Sequence, residues 1–456
     1  MSDASGPPAA RARRVLVLAI GLGTLLNPLN SSLIAVALHD MQRDFRAGFD
    51  DVSWLVSAYY LGSAIGQPVM GRLGDLHGRR RVFVAGMLTV AAACVAAPFA
   101  PGLGSLIAIR VVQAVGGAAL FPTGIGMLRD AAGSGATRSL GAISIFASVS
   151  AGIGPTLGAY LVGWQGWPTI FLANLPVIAV ALVLAVRVLP AGGGTAKRGT
   201  TTLAALDLGG VAAFALAVFA ALWFLLSLEH RPAWWAPPVA LAAGAAFLRI
   251  ERRAAQPFID LRMLAATPTL LVVYAQFAAV NVVFYSIFFG IPSFLQAGLS
   301  FSVEKTGLVM LVVAGLGIVT TPIAARMVDR VGLRVPLLIG GTFMTAGSLL
   351  LLTIGAGTSV PWLVGVLAVF GVSTGFNSFV LQATMYRTAP AEQIGTASGL
   401  FMTARYLGTI GSASLLGVAF GRTIGVTQLH AAAVVLAVVS AGILLSTVRA
   451  RTFATA

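Results

Sequence analysis

Runs of about 20 apolar residues, the length of a bilayer-spanning helix, follow one another along almost the whole chain with short polar links between them. This pattern limits the fold more than any single motif does. Of 456 residues, 58% are hydrophobic and only 9% charged, against about 25% charged in a soluble domain. No water-facing core could bury so much apolar surface, so the solvent is lipid. Lipid leaves helices or a closed barrel, because backbone N–H and C=O groups must be satisfied internally. Barrel strands alternate apolar and polar positions over about 10 residues. These runs do not alternate, and an all-α polytopic membrane protein is expected.

The runs read as fourteen transmembrane helices, at roughly 15–38, 52–71, 82–99, 104–128, 138–163, 168–188, 206–228, 233–250, 267–296, 305–325, 335–356, 360–384, 396–421 and 428–449. An even count puts both termini in the cytoplasm. The formal charge of +15 invites a nucleic-acid reading, but its distribution answers otherwise. With the N-terminus inside, only Arg43, Arg46, Arg231, Lys305 and Arg422 fall outside, and Arg110 and Arg405 fall within spans. The remaining basic residues lie on the inner side, which is the positive-inside bias. Val15 to Leu38 is long for a signal-peptide core and lacks an obvious cleavage site, so it reads as a retained first span.

A charged string interrupts the apolar pattern between the second and third runs: Gly71, Arg72, Gly74, Asp75, Gly78, Arg79 and Arg80. Arg72, Asp75, Gly78 and Arg80 recur 254 positions later as Arg326, Asp329, Gly332 and Arg334. That offset is a shift of eight helices. It divides the chain into a cytoplasmic tail (1–14), a six-helix half (15–188), linkers with two extra helices (189–266), a second six-helix half (267–449) and a closing tail (450–456). Two parallel repeats with a site at their interface form a transporter arrangement. Gly74 and Gly78 suit the tight, partly left-handed backbone of a short loop. Asp75 can pair with the arginines that follow or cap a neighbouring helix.

Other positions stand out for polarity or small size. Arg110 and Arg405 are guanidinium groups inside apolar runs, which cost at least about 2.5–3.5 kcal/mol on insertion scales unless they face a partner or a wet cavity. Gln113 follows Arg110 on the same helix face. Asn30, Gln276, Asn281, Asn377 and Gln382 are further candidates for lining a cavity, or for bonding between helices. Gly152, Gly154, Pro155 and Gly158 in the fifth span, and Gly408 and Gly411 in the thirteenth, allow close helix approach, with Pro155 bending its helix.

The Gly71–Arg81 string resembles motif A of the major facilitator superfamily. Arg110-Val111-Val112-Gln113-Ala114-Val115-Gly116-Gly117 resembles its motif B, and Gly154-Pro155 its motif C. Trp54 to Leu61, Trp167 to Pro176 and Ala404 to Gly408 resemble segments of the fourteen-helix drug:proton antiporter branch. The resemblance implies an exporter in which Asp75 latches the cytoplasmic side and Arg110 takes part in proton coupling. It departs from the family in the first helix, where Asn30 stands in the place of an aspartate and His39 in that of a proline. None of the fourteen Asp and Glu residues lies mid-span. Two buried cations without a buried carboxylate imply a pocket suited to neutral or anionic substrates over organic cations.

Other chemistries are excluded. Gly371-Val372-Ser373-Thr374-Gly375 matches a nucleophile elbow, but lies within an apolar span rather than at a strand-to-helix turn. There is no phosphate-binding lysine loop, since Lys197 and Lys305 are the only lysines. His39, His77, His230 and His430 show no metal spacing, and Cys94 is alone. No cofactor, metal or catalytic residue is expected. The expected partners are a small-molecule substrate, protons and the lipid bilayer, with no nucleic acid, for a monomer in the cytoplasmic membrane. An importer or facilitator on the same fold, or a membrane sensor, remains the alternative.

Overall fold

The computed structural model describes residues 7–132, 160–188, 207–228, 232–254, 257–420 and 424–449, with single positions between 139 and 158. Among the described residues there are helices and turns and no strand. In chain order the helices are α1 (Pro7–Phe45), α2 (Phe49–His77), α3 (Arg79–Ala96), α4 (Leu103–Ala118), α5 (Leu120–Ala132), α6 (Thr169–Leu172), α7 (Asn174–Val188), α8 (Leu208–Ser227) and α9 (Ala236–Arg253). They continue as α10 (Leu261–Ala266), α11 (Pro268–Ser293), α12 (Val303–Val331), α13 (Arg334–Leu350), α14 (Val360–Thr388), α15 (Ile394–Phe420) and α16 (Val426–Arg449). Nine spans among the described residues are long and apolar enough to cross a membrane, and α1 makes a tenth if its two segments form one bent span.

Two local features differ from expectation. The fourth run breaks between α4 and α5 at Ala119. Pro122 has no N–H for the carbonyl of Ala118, four residues back, and its ring crowds that carbonyl. The charged string is also less of a loop than its glycines suggest. Helix α2 continues through Gly74 and Asp75 to His77, and only Gly78 leaves the helix, at φ 99°. Gly74 is small because a side chain there would meet Thr123. The second copy repeats the arrangement: α12 runs to Val331 and Gly332 turns at φ 77°.

Contacts group the chain into two compact units. The first comprises Met1–Val211, Ala254–Ile259 and Ala389–Thr403; the second comprises Ala212–Arg253, Asp260–Thr388 and Ala404–Ala456. In the first, α1 packs on α7, α2 on α4, and α3 on both α4 and α7. In the second, α11 packs on α16, α12 on α14, and α13 on both α14 and α16. The first helix of each half thus meets the last, the second the fourth, and the third both the fourth and the last. The duplication read from four residues is therefore also a duplication of packing. Pro68 inside α2 and Pro322 inside α12 share the 254-residue offset as well. Large apolar side chains such as Leu88, Val183, Leu216, Leu241 and Val438 stay exposed. In lipid that surface carries no hydrophobic penalty.

Candidate functional site

Three polar constellations interrupt the apolar interior. The first is built around Asp75 in the last turn of α2. Both Asp75 and Arg79 are buried, and their side chains pair at 3.1 Å. The other Asp75 oxygen, Oδ2, accepts the backbone N–H of Thr396 at 3.1 Å. Thr396 lies in the first turn of α15, so a carboxylate sits at a helix N-terminus, where open N–H groups favour negative charge. Burial pushes the Asp75 carboxyl above the usual carboxylate range, against the pull of Arg79 and of the Thr396 N–H. Arg79 also donates to Asp130 at 2.7 Å, to the carbonyl of Gly126 at 3.1 Å and to that of Ala391 at 3.0 Å. Arg129 donates to the carbonyl of Ala389. Close backbone approach makes this possible: a Cβ on Gly71 would run into the Gly395 carbonyl, and one on Gly399 into Gln67 and Pro68.

The second copy of the string is looser. Asp329 is half-exposed and reaches Arg387 only at 3.6 Å. Arg326 is exposed and Arg72 half-buried. Gly332, like Gly78, has open space where a side chain would go.

The second constellation centres on Arg110 of α4, which is 1% exposed. A side chain so buried is not snorkelling to an interface. Its Nε donates to the carbonyl of Leu55 at 3.2 Å and its Nη1 to Gln113 Oε1 at 2.6 Å. The guanidinium carbon lies 4.2 Å from the centroid of the Tyr59 ring. Gln113 Nε2 donates to Asn30 Oδ1, at 3.2 Å, and to Cys94 Sγ. Asn30 Oδ1 also accepts from Asn174 Nδ2 at 3.0 Å. Tyr59 donates its hydroxyl to Asn27 Oδ1 at 2.6 Å, and Asn27 donates to the carbonyl of Gly117. Every partner is neutral, and Arg110 Nη2 has no hydrogen-bond partner among the described residues.

The third lies in the second unit, where α15 meets α11. Arg405 donates from Nη2 to the Tyr285 hydroxyl at 2.7 Å and from Nε at 3.3 Å. Tyr285 stacks on Phe289 with centroids 5.5 Å apart, and Phe284 and Phe288 extend the aromatic surface. Gly408 is the point of close approach, because a Cβ there would run into the Ala278 carbonyl, whereas Gly411 has ordinary room beside Val282.

The remaining sequence candidates separate. Gln276 donates to Ser446 at 2.6 Å and to Thr447 at 3.1 Å, a bond between helices. Asn281 donates to Phe277 one turn back on its own helix. Asn377 donates to Ser373, whose hydroxyl donates to the Gly340 carbonyl, so it belongs to the α13–α14 crossing. Gln382 is buried in α14. In the fifth span, Gly154 is helical and buried, and a Cβ on Gly158 would lie 3.3 Å from Leu33; Gly152 and Pro155 lie outside the described residues. Sequence reading passed over Asn27, Tyr59, Asn174, Asp130, Tyr285 and Thr396 as site residues. For Asn174 a signal existed, an amide just inside an apolar run.

Residues 20–413 match the profile of the Major Facilitator Superfamily. The chain is 39% identical over 446 residues to an uncharacterised MFS-type transporter, YwoD, of Bacillus subtilis, covering 96% of this chain and 97% of that one. It is 30% identical over 416 residues to the multidrug resistance protein Stp of Mycobacterium tuberculosis, covering 89% and 75%. Among solved structures, the human organic anion transporter MFSD10 (TETRAN) superposes with a TM-score of 0.68 over 97% of this chain and 100% of that one. At 16% identity that likeness is one of fold.

Proposed function

The chain belongs to the Major Facilitator Superfamily, and on that premise we propose that it exports small amphipathic molecules across the cytoplasmic membrane by alternating access. It has fourteen transmembrane helices in two six-helix halves plus an inserted pair, both termini are cytoplasmic, and it works as a monomer without altering its substrate. The observation that carries the reading is the common packing plan of the two repeats, the duplicated build that secondary transporters share. The chain-long likeness to a multidrug resistance protein supports the outward direction.

The gate in this reading is the Asp75 cap on α15. With the cap made, residues 389–403 are held against α2 and α5. Breaking it frees the first turn of α15 and exposes a carboxylate that water then solvates. The resemblance implies proton antiport, yet the spans hold no carboxylate to carry the proton. Expression in a host stripped of its own efflux pumps tests the direction. Dye accumulation should fall relative to cells making the Asp75→Asn variant; accumulation that rises instead would identify an importer.

A further inference from the structure

We propose that the transported species is an anion whose charge is met by Arg110, and that the membrane potential drives its export. This rests on the exporter reading above and adds its substrate class and driving force. Arg110 is a fully buried guanidinium whose hydrogen-bond partners are a carbonyl and an amide, with a tyrosine face against it and Nη2 unpartnered. A buried cation held only by neutral groups lacks the countercharge that would offset its desolvation. The chain supplies none, because no Asp or Glu lies mid-span.

The place from which a first-helix acid would act is Asn30, one side chain away through Gln113. Its Oδ1 already accepts from both Gln113 and Asn174, so an amide fits the network and leaves it without negative charge. The missing countercharge therefore arrives with the substrate and leaves with it. Tyr59 and Tyr60, edge to face at 6.3 Å, put aromatic rings beside the guanidinium, which suits an aromatic carboxylate or sulfonate.

The energetic consequence is simple. No Asp, Glu or His lies mid-span to carry a proton against the substrate, so each cycle moves the anion's own charge. In a cell negative inside, outward movement of one negative charge is downhill. At 100 mV this supports about a fiftyfold concentration ratio, equivalent to ~2.3 kcal/mol per charge.

The test uses purified protein in phosphatidylethanolamine–phosphatidylglycerol vesicles, with naphthalene-1-sulfonate as a permanently ionised probe and ethidium as its cationic counterpart. Potassium gradients with valinomycin set the potential at equal pH. Naphthalene-1-sulfonate flux should follow the sign and size of the potential and ignore a pH gradient imposed at zero potential. Arg110→Gln should cut it at least tenfold. Asn30→Asp, close in shape, should also cut it at least tenfold and make the remaining flux pH-dependent; unchanged, pH-independent flux in that variant overturns the proposal. Flux driven by the pH gradient alone, or transport confined to ethidium, overturns it while leaving the exporter reading in place. If neither probe moves under either gradient, both readings fall.

Discussion

Arg80 and Arg334 stand 254 residues apart and make the same bond. Arg80 Nη2 donates to the Val186 carbonyl at 2.7 Å, and Arg334 Nη2 to the Val448 carbonyl at 2.9 Å. Each arginine opens the third helix of its half and reaches the last turn of the final helix, α7 or α16, where carbonyls lack helical partners. The repeat found in the string is thus kept in a contact that no local pattern shows, with the donors at the same offset and the acceptors in the last turn of the corresponding helix. Both bonds lie at the surface, so each contributes about 0.3–1 kcal/mol.

Asp75→Asn tests the gate. The variant keeps the shape of the side chain but loses the charge that faces Arg79 and the first turn of α15. Drug efflux from whole cells should drop severalfold at normal membrane levels. The raised proton affinity of the buried carboxyl adds a pH signature. Above the ordinary carboxylate range the folded protein holds more protons than the unfolded chain, so the wild-type protein loses stability as pH rises through that window. The asparagine variant has no such titration. The difference in melting temperature, wild type minus variant, should therefore grow as the pH is lowered from neutrality; a difference independent of pH would remove the burial account.

The two hinge glycines should behave alike. Gly78 and Gly332 both have positive φ and open space at the Cβ position. Alanine at either should cost about 1–3 kcal/mol from backbone strain alone, and asparagine as much, because ψ of 122° at Gly78 and −171° at Gly332 lies outside the left-handed helical region that asparagine tolerates. Thermal unfolding in detergent of the four single variants measures this. A large difference between the two positions would mean that sterics, not the backbone, set the cost.

Close packing separates glycines that look equivalent. Gly408→Ala forces a methyl into the Ala278 carbonyl, while Gly411→Ala meets Val282 at an ordinary 3.4 Å. The first should destabilise by about 1–3 kcal/mol and the second by little, read as a melting-temperature difference between the pair.

Arg405→Ala should abolish transport while the protein still inserts and purifies at wild-type levels. Tyr285→Phe removes only the hydroxyl that accepts both Arg405 bonds. It should lower stability by about 1.5–3 kcal/mol, the usual loss for a hydrogen bond to a charged group. Vesicle transport of an aromatic dye, measured beside the melting curves, distinguishes the two. Full activity in Arg405→Ala would make that arginine structural.

The lipid-embedded helical fold was legible because span length and apolarity are one-dimensional properties. The repeat was legible because Arg72, Asp75, Gly78 and Arg80 kept their spacing. The helical course of α2 through Gly74 was not, since glycine beside Arg72 and Asp75 reads locally as a loop, whereas contact with Thr123 sets the need for a small residue. Site partners were hidden by distance. Thr396 lies 321 residues from Asp75, and Asn174 lies 144 from Asn30. Neither pairing has a local signature, while Gln113, three residues from Arg110, could be found from helical periodicity.

The weak pairing of Asp329 with Arg387 has a practical side. Duplication gave this chain a spare hinge, and relieved of the tight contacts that bind Asp75, that spare can accept change. Both turns have open space for a fluorophore or a short peptide tag, but cargo at Gly332 neighbours only the 3.6 Å Asp329–Arg387 contact, whereas cargo at Gly78 sits next to the buried Asp75–Arg79 pair. The second hinge is the place to attach a reporter that follows the transport cycle while the molecule keeps working.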